Sequence, residues 1–555
     1  MRHASRSVPH VLCLGGGYVA IYLARALRRR IRAGKVRLTV VSNENFQCFH
    51  GLVPEMLTGT LQPTDMLSPA RRLFAPGDFV NAEVESIALE AKRVTVARQL
   101  DGRPLDLAYD HLVLALGTTE HLGRFPGLAE HALRLKSYAA CFAARNQFVE
   151  MLELADMEPD PEERRRLLTF VVVGGSFAGC EVAGELSEFL PLVARKHFPN
   201  IDVGEIRIVL VAATPTLLPE LGSREPWTSA YIERVFSEDP LIDVRLNTKL
   251  ASASSEEAIL SDGTRIPTRT VVACAGMSTV PVVAGLEVER NAQQRIVTDR
   301  FARVLGREEV WAGGDCAAVP LSDGGTAPGL AIWAMTVGRL IGRNIGRTLD
   351  RTALEPYRFT GLGDACAVGH RRAIAKLNGV PIHLTGTAAW LVWRAFMLLY
   401  LPLWQKKVRV LFSWLMTAVV GRDFLNLRGD APMNVARALF DEGQDIVREG
   451  DVGTSLFLIQ EGTVEVLKRG ADGIQVRIAT LGPGQQFGEV AVFKRVRRTA
   501  TVRATSRVRL IQIRRDAAAM LAGASVALER QLGGSAPGAV TARTAGSPSW
   551  GSGRS

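Results

Sequence analysis

The stretch HVLCLGGGYVA, residues 10–20, decides the fold of the first part of this 555-residue chain. It places an apolar run directly before three glycines, and an apolar helical pattern follows from Ile21. An apolar run without alternation is typical of a parallel strand that is buried on both faces. Gly15 allows the tight bend, Gly17 lets the backbone approach a pyrophosphate, and Ala20 is small enough for close helix–strand packing. The stretch therefore predicts a strand, a turn and a helix that together bind a dinucleotide.

A second turn of the same kind lies in LTFVVVGGSFAGCE, residues 168–181. Gly174 and Gly179 take the outer glycine positions. Ser176 replaces the middle glycine and adds a Cβ where the backbone would approach the ligand. A second dinucleotide-binding turn is predicted here, although a turn kept only as scaffold remains the alternative.

The acid that usually binds a nucleotide ribose is missing after both turns. After the first turn, the next strand ends at Ser42, and Glu44 is the nearest carboxylate. After the second turn, the next strand ends in Ala212 and Ala213. This end offers neither an acid for a ribose 2′-hydroxyl nor an arginine for a 2′-phosphate. The choice between NADH and NADPH therefore stays open.

The two units predict an α/β fold, with two Rossmann-like domains in residues 8–355 and the second inserted at about 165–285. Residues 356–428 form a short block that is rich in aromatic and basic residues. Residues 430–525 alternate short strand-like runs with glycine turns, which predicts a small β-barrel or jelly roll. The tail, 533–555, has few large apolar residues and is expected to be disordered.

Composition limits the class of protein. The formal charge of +11 favours an anionic partner, but no nucleic-acid recognition motif accompanies it, so nucleic acid is excluded. The seven cysteines are scattered without a CxxC pair, so we expect no metal site, no disulfide framework and a reducing cytoplasm. The N-terminus has no signal-peptide pattern, and no apolar run reaches the roughly 18 residues of a membrane span.

Further motifs carry a resemblance to a known family. They are HLVLALGTT (111–119), VWAGGDCAAVP (310–320) and AWLVWRAFMLLYLPLWQKKVRVLFSW (389–414). Together with the two glycine turns, they resemble the type II NADH:quinone oxidoreductases, which are flavoproteins with two dinucleotide-binding domains. The resemblance implies FAD at the first turn, with Gly117 and Asp315 among its contacts. It also implies NADH or NADPH at the second turn, with Glu181 near the nicotinamide and Gly276 leaving room for its ring.

The resemblance also implies the chemistry, a non-electrogenic hydride transfer from NADH to FAD followed by electron transfer to a membrane quinone. A disulfide reductase of the same superfamily is excluded, because Cys48 has no partner cysteine in its segment. One departure from the family pattern concerns the quinone. Where the family carries a glutamine pair, this chain has Thr336 and Val337, which lack amide groups for a quinone carbonyl.

Residues 384–420 mix tryptophans and cations with apolar residues at helical spacing. The pattern predicts a helix in a bilayer interface, with Arg394, Lys406, Lys407 and Arg409 on anionic lipid and tryptophans at the headgroups. The family resemblance implies the same peripheral position, on the cytoplasmic face of the cell membrane. The alternatives are a helix packed on the protein's own core or a homodimer interface.

The segment FGEVAVFKRVRRTATV, residues 487–502, resembles the phosphate-binding cassette of cyclic-nucleotide-binding domains in cAMP-dependent kinase regulatory subunits. Arg498 would pair with the cyclic phosphate, and Glu489 would accept from the ribose 2′-hydroxyl. Backbone N–H groups near Gly488 and Ala500 would complete the anion site, and Thr499 is compatible with cAMP or cGMP. We therefore expect an oxidoreductase regulated by cAMP or cGMP. The alternative is a cyclic-nucleotide-responsive redox sensor without significant turnover.

Overall fold

The computed structural model of the chain describes residues 8–222, 225–322, 324–380, 382–426, 435–451, 455–470, 475–493 and 498–514. The chain divides into two compact units, Met1–Leu427 and Arg428–Ser555. The tail predicted to be disordered, 533–555, lies outside the described residues.

The first sheet of the larger unit has seven strands and carries the first glycine turn. Its order is Val310–Ala312, His111–Leu114, His10–Leu14, Arg37–Ser42, Asp78–Ala88, Arg93–Arg98 and Pro104–Ala108. The first five strands are parallel, and the last two continue the sheet antiparallel. The carboxyl ends of parallel strands meet at one edge. Gly15, Glu44, Gly117 and Asp315, which each follow one of these strands, therefore lie along the same edge of the sheet.

The second sheet has five parallel strands and carries the second turn. Its order is Ala132–Arg134, Thr270–Ala273, Thr169–Val173, Arg207–Val211 and Ile242–Arg245. The strand Ala132–Arg134 precedes residue 165, which the sequence analysis predicts as the approximate start of this domain. The chain connects the two domains through Thr118–Glu120. This strand pairs antiparallel with Met277–Thr279. A three-residue strand such as Ala132–Arg134 has too little periodicity to be recognised from sequence.

Smaller sheets complete the larger unit. Three-stranded antiparallel sheets are formed by Leu250–Ala253 with Glu257–Leu260 and Arg265–Pro267, and by Gly363–Ala367 with Ala373–Leu377 and His383–Thr385. Two-stranded pairs join Phe46–Cys48 to Leu67–Pro69 and Ile296–Val297 to Ala317–Ala318.

The helices of this unit cover the sheets and form its C-terminal part. They are α1 (Tyr18–Arg32), α2 (Val53–Leu57), α3 (Ala70–Phe74), α4 (Leu128–His131), α5 (Tyr138–Met157), α6 (Pro161–Leu167), α7 (Phe177–His197), α8 (Pro219–Gly222), α9 (Pro226–Ser237), α10 (Pro281–Ala284), α11 (Ala331–Leu349), α12 (Gly386–Tyr400) and α13 (Trp404–Val420).

The predicted interfacial helix is in fact two helices, α12 and α13, separated at Pro402, which has no N–H to continue a helix. Among the described residues, no helix is both long enough and apolar enough to cross a bilayer. Trp404 and Phe412 expose more than half of their surface. Other apolar side chains of α13 are exposed with them: Val408, Leu411, Leu415, Met416, Val419 and Val420.

The prediction that Arg394 lies on lipid is wrong. Its side chain is 18% exposed and forms an ion pair with Glu55, Nη2 to Oε1 at 2.8 Å. Its guanidinium lies over the rings of Trp390 and Trp414, at 4.0 and 4.4 Å from the ring centroids. Trp393 and Trp414 are also buried, which contradicts their predicted place at the headgroups. This part of α12 and α13 packs on the protein's own core, because Glu55 supplies a buried counter-charge that sequence spacing does not reveal.

The smaller unit contains two four-stranded antiparallel sheets. One consists of Val435–Phe440, Val508–Arg514, Ser455–Glu461 and Gln486–Phe487, and the other of Asp445–Val447, Thr501–Ala504, Val464–Arg469 and Gln475–Leu481. Residues of both sheets, among them Phe457, Phe487, Val464 and Val502, share one apolar core. A short helix, α14 (Glu489–Phe493), follows the strand that ends at Phe487.

Candidate active site

The first glycine turn is shaped to bring backbone close to a ligand. Gly15 has a φ of +104°, and a Cβ there would lie 2.2 Å from the carbonyl oxygen of Ala115. Around Gly17, by contrast, no described atom outside its chain neighbours lies within 4 Å of the place of a Cβ. No described side chain caps α1, and its first turn contains no acid. The N–H groups of that turn and the helix dipole are therefore available to a pyrophosphate.

Two carboxylates accompany this turn along the edge of the first sheet. Glu44 donates its backbone N–H to Ser42 Oγ at 3.4 Å, and partial burial raises the pKa of its carboxyl group. Asp315 is partly exposed and lies 3.9 Å from Lys136 Nζ. Carboxylates at these positions are acceptors for ribose and ribityl hydroxyls. The residues present therefore fit FAD.

The second turn has the same construction at the N-terminus of α7. Gly174 has a φ of +122°, and a Cβ on Gly179 would lie 1.7 Å from the carbonyl oxygen of Gly174. Ser176 is the N-cap residue, but among the described residues its hydroxyl makes no capping hydrogen bond. The serine that replaces the middle glycine therefore leaves the helix N-terminus open to an anion.

A cavity of about 700 Å³ lies between the two domains. Ser176 and Glu181 line it from the second domain, and Asp315 lines it from the first. Gly15, Gly17 and Ala20 are not among its lining residues. The sequence reasoning missed other lining residues: His50, Lys136, Glu225, Trp333 and Lys376. They come from separate helices, strands and loops, so only the tertiary structure brings them together.

Glu181 is the most strongly perturbed acid of this cavity. The pKa of its carboxyl group is raised to about 8, mainly by burial and to a smaller extent by the neighbouring carboxylates of Glu185 and Glu55, while a hydrogen bond to the backbone of Ala367 opposes the shift. At neutral pH the group therefore holds a proton. Gly276 is not among the lining residues, although Ala275 and Met277 on either side of it are. It has a φ of +85°, and a Cβ there would lie 3.0 Å from Leu122 Cδ2.

Behind Glu181, buried acids are paired with arginines. Glu185 accepts from Thr58 Oγ1 at 2.9 Å and from Arg422 Nη1 at 3.0 Å. Arg422 also donates to Glu188 through Nη2 at 3.1 Å. The sequence GELSE, residues 184–188, contains both acids. Their helical spacing from Glu181 is the sequence signal that could have identified them.

An ion pair joins the two sides of the cavity near the second domain. Lys376, on the strand Ala373–Leu377, pairs with Glu225, which directly precedes α9. Trp227 Nε1 donates to the other oxygen of this carboxylate at 3.1 Å, and its ring stacks on His383 at 4.5 Å. These contacts hold α9 against the sheet that ends before α12.

The positions of the missing glutamine pair lie on α11. Val337 is buried, and its Cγ1 would lie 2.7 Å from a Cβ on Gly313. The hydroxyl of Thr336 donates within its own helix and lies 2.7 Å from the hydroxyl of Tyr357. Trp333, one turn earlier, lines the cavity and packs edge-on against Phe359. Trp333 thus lines the cavity, whereas Thr336 and Val337 are not among its lining residues.

All seven cysteines lie among the described residues and are free thiols. Cys48 is half-buried, and burial raises the pKa of its thiol well above the ordinary range. Neither property suits a redox-active cysteine, whose thiolate must form readily.

The residues of the predicted anion site lie in the smaller unit. Arg498 is buried and donates to the carbonyl oxygens of Ser455 and Gly488, at 2.7 and 3.0 Å. Gly488 has a φ of +86°. Oε2 of Glu489 is buried and has no hydrogen-bond partner among the described residues. A buried acceptor without a partner is costly unless a ligand satisfies it, so this oxygen fits a hydroxyl donor. Thr499 is exposed and Ala500 half-buried beside it.

The larger unit matches a known protein family. The pyridine nucleotide-disulphide oxidoreductase family matches residues 9–338. The chain belongs to this family. The NDH2 C-terminal domain matches residues 362–423, and the cyclic nucleotide-binding domain matches residues 438–523. The oxidoreductase therefore carries the C-terminal segment of type II NADH dehydrogenases, followed by a cyclic nucleotide-binding domain.

Individual relatives agree with this assignment. A probable NADH dehydrogenase of Dictyostelium discoideum is 28% identical over 71% of this chain and 87% of its own. A type II NADH:quinone oxidoreductase of Mycobacterium tuberculosis is 25% identical over 73% of this chain and 87% of its own. The solved structure of NDH2 from Plasmodium falciparum in complex with NADH superposes with a TM-score of 0.68. It is 16% identical and covers 75% of this chain and all of that one, which supports the fold.

Proposed function

We propose that the protein is an FAD-dependent NADH dehydrogenase that passes electrons to a quinone at a membrane surface. The observation that carries the proposal is the shared cavity, where the open N-terminus of α7 faces Asp315 of the other domain. The relatives named as type II NADH:quinone oxidoreductases, which match almost their whole length, support the same reaction.

FAD would be held by the first turn, with its pyrophosphate on α1 and its hydroxyls on Glu44 and Asp315. When bound, it would supply the redox chemistry that links hydride donation by the nicotinamide to reduction of the electron acceptor. The nicotinamide nucleotide would lie on the second turn at Gly174, Ser176 and Gly179. The protein aligns the two ligands, which is worth roughly 7–11 kcal/mol of barrier in well-oriented reactions. Neither an acid nor an arginine follows Val211, so NADPH is proposed as a possible second donor.

Glu181 holds the proton that a quinone needs. Reduction of a quinone to a quinol takes up two protons, and a carboxyl group with a pKa of about 8 is protonated in the resting protein near neutral pH. Trp333 offers an aromatic face to the acceptor in place of the missing glutamine amides.

The apolar face of α13 is proposed to rest in the bilayer interface. Trp404, Val408, Phe412 and Leu415 each expose more than half of their surface. Lys406 and Lys407 lie on the same helix, where cations strengthen binding to anionic lipid by about 1 kcal/mol each. We place the protein at the cytoplasmic face of the cell membrane, without a membrane span of its own in the described residues.

The smaller unit is proposed to bind cAMP or cGMP and to regulate the oxidoreductase. The buried guanidinium of Arg498 and the unpartnered Oε2 of Glu489 support a ligand with a phosphate and a hydroxyl. Regulation requires that the nucleotide bind two states of the protein with different affinities.

Steady-state oxidation of NADH by the purified protein, with short-chain quinones as acceptors, tests the enzymatic proposal. We expect quinone-dependent turnover that is lost in Gly179→Ala, because the added Cβ collides with the second turn. The alternative is a redox-sensing binding protein. It is favoured if the protein binds NADH and a cyclic nucleotide but oxidises NADH no faster with a quinone than without one.

A further inference from the structure

The segment 421–426 joins α13 to the end of the larger unit and lies against α7. The side chain of Arg422 in this segment is 11% exposed, and its guanidinium bridges Glu185 and Glu188. A forked guanidinium that contacts two carboxylates fixes both the charge and the geometry of its partners. Arg422 is therefore held in one place.

The residues beside Arg422 keep the segment in position. Asp423 donates its backbone N–H to Gly59 O at 3.1 Å and accepts from Gln62 Nε2 at 3.0 Å. A Cβ on Gly59 would lie 1.7 Å from the carbonyl oxygen of Asp423, so only glycine permits this approach. Phe424 packs its ring on His197, the last residue of α7, with the centroids 4.5 Å apart. The segment is thus attached along α7 through polar and aromatic contacts.

The acids that Arg422 holds share a helix face with the acid of the cavity. Glu181, Glu185 and Glu188 are spaced i, i+4 and i+7 on α7, which places them in one row. The charge of Glu185 therefore acts on Glu181 from one turn away. Arg422 is the cation that faces Glu185, so its presence changes the field at Glu181.

The groups around Glu181 come from several elements. Glu55 on α2 and Glu185 on its own helix repel its anion, and the thiols of Cys180 and Cys366 lie beside it. Glu55 is balanced by Arg394, and Glu185 by Arg422. Glu55 and Glu185 thus each form an ion pair with one arginine.

We propose that Arg422 is a positioning residue that, through Glu185, sets the proton affinity of Glu181. The inference deepens the proposed function, because Glu181 is the proton-holding group of the cavity. The inference concerns only residues of this chain, so it can be tested without an electron acceptor.

An infrared titration of the oxidised, flavin-loaded protein tests the proposal. The carboxyl band of protonated Glu181 is identified by its loss in Glu181→Gln and is then followed against pH. In Arg422→Gln the neighbourhood becomes more negative. The midpoint should move to higher pH by roughly 0.5–1 unit. In Glu185→Gln a repelling charge is removed, and the midpoint should move to lower pH.

Two variants serve as controls. Arg422→Lys keeps the positive charge and should titrate close to the original protein. Arg195→Gln removes an exposed cation from the same helix and should leave the midpoint unchanged. An unmoved midpoint in Arg422→Gln overturns the proposal, as does the absence of any band that depends on Glu181. If Arg422→Gln does not fold, the test rests on Glu185→Gln. An unchanged titration midpoint in that variant also overturns the proposal. A protein that gives these shifts but oxidises no NADH keeps this inference and loses the proposed function.

Discussion

Ser176 and Asp315 line the same cavity, although each follows a strand of a different sheet. Ser176 begins the helix of the second dinucleotide turn, and Asp315 lies at the strand ends beside the first. In the function proposed above, the ligands of the two turns would meet at this cavity. The predictions below follow from this arrangement and from the charges around it.

Gly15→Ala should abolish retention of FAD. The new Cβ would lie 2.2 Å from the carbonyl oxygen of Ala115, and the backbone of Gly15 is in a region that alanine avoids. Flavin absorbance after gel filtration measures the loss. Gly102→Ala is the matched control, since Gly102 also has a positive φ but no described atom within 4 Å. Retention of flavin by Gly15→Ala would contradict the assignment of the first turn.

Glu181→Gln should change both turnover and stability against pH. Quinone-dependent turnover should fall by about 100-fold, because a positioned acid is lost. The raised pKa also means that the folded protein binds a proton that the unfolded chain releases above its ordinary value of 4.5. The free energy of unfolding should therefore decrease as pH rises from about 4.5 to about 8, and this decrease should be smaller in Glu181→Gln. Denaturant titrations across this pH range measure it, and identical slopes would contradict the prediction.

Arg394→Gln should destabilise the larger unit by about 3–5 kcal/mol, because it leaves the buried carboxylate of Glu55 without its cation. Arg265→Gln is the comparison, since its ion pair with Glu257 is exposed on the arginine side and worth about 1 kcal/mol or less. Denaturant unfolding of both variants gives the difference. Equal and small effects would show that Arg394 contributes no more than a surface cation.

Phe412→Ser should weaken binding to lipid vesicles, because it removes an exposed aromatic side chain from the apolar face of α13. We expect a loss of at least about tenfold, since fully burying one such side chain is worth about 1.5–3 kcal/mol. Leu100→Ser, at an exposed turn of the same unit, should have no effect. Replacing Lys406 and Lys407 with glutamine should weaken binding to anionic vesicles only, and vesicle co-sedimentation distinguishes these outcomes.

Arg498→Ala should lower the affinity for cAMP at least tenfold, since a charge-assisted contact is worth about 1.5–3 kcal/mol. Isothermal titration with cAMP and cGMP measures the change and the preference. Any effect of the nucleotide on NADH oxidation should disappear in the same variant. An effect that persists in Arg498→Ala would place the regulatory site elsewhere.

Much of the architecture could be predicted because it depends on local patterns. The strands before Gly15 and Gly174 are unbroken apolar runs, and the glycines after them serve local backbone needs. The early start of the second domain at Ala132–Arg134 was missed, because three residues show no period. Burial of Arg394 was missed for a different reason: its partner Glu55 lies 339 positions away, and only tertiary structure pairs them. Lys136, Trp333 and Lys376 reach the cavity from separate elements, so no sequence motif contains them.

The most direct measurement is an anaerobic titration of the purified protein with NADH, followed by flavin absorbance. We expect one bound flavin per chain, bleached by one equivalent of NADH and recoloured by an added quinone. A protein that holds no flavin after reconstitution, or whose flavin NADH does not reduce, would contradict a cavity in which the two nucleotide sites meet.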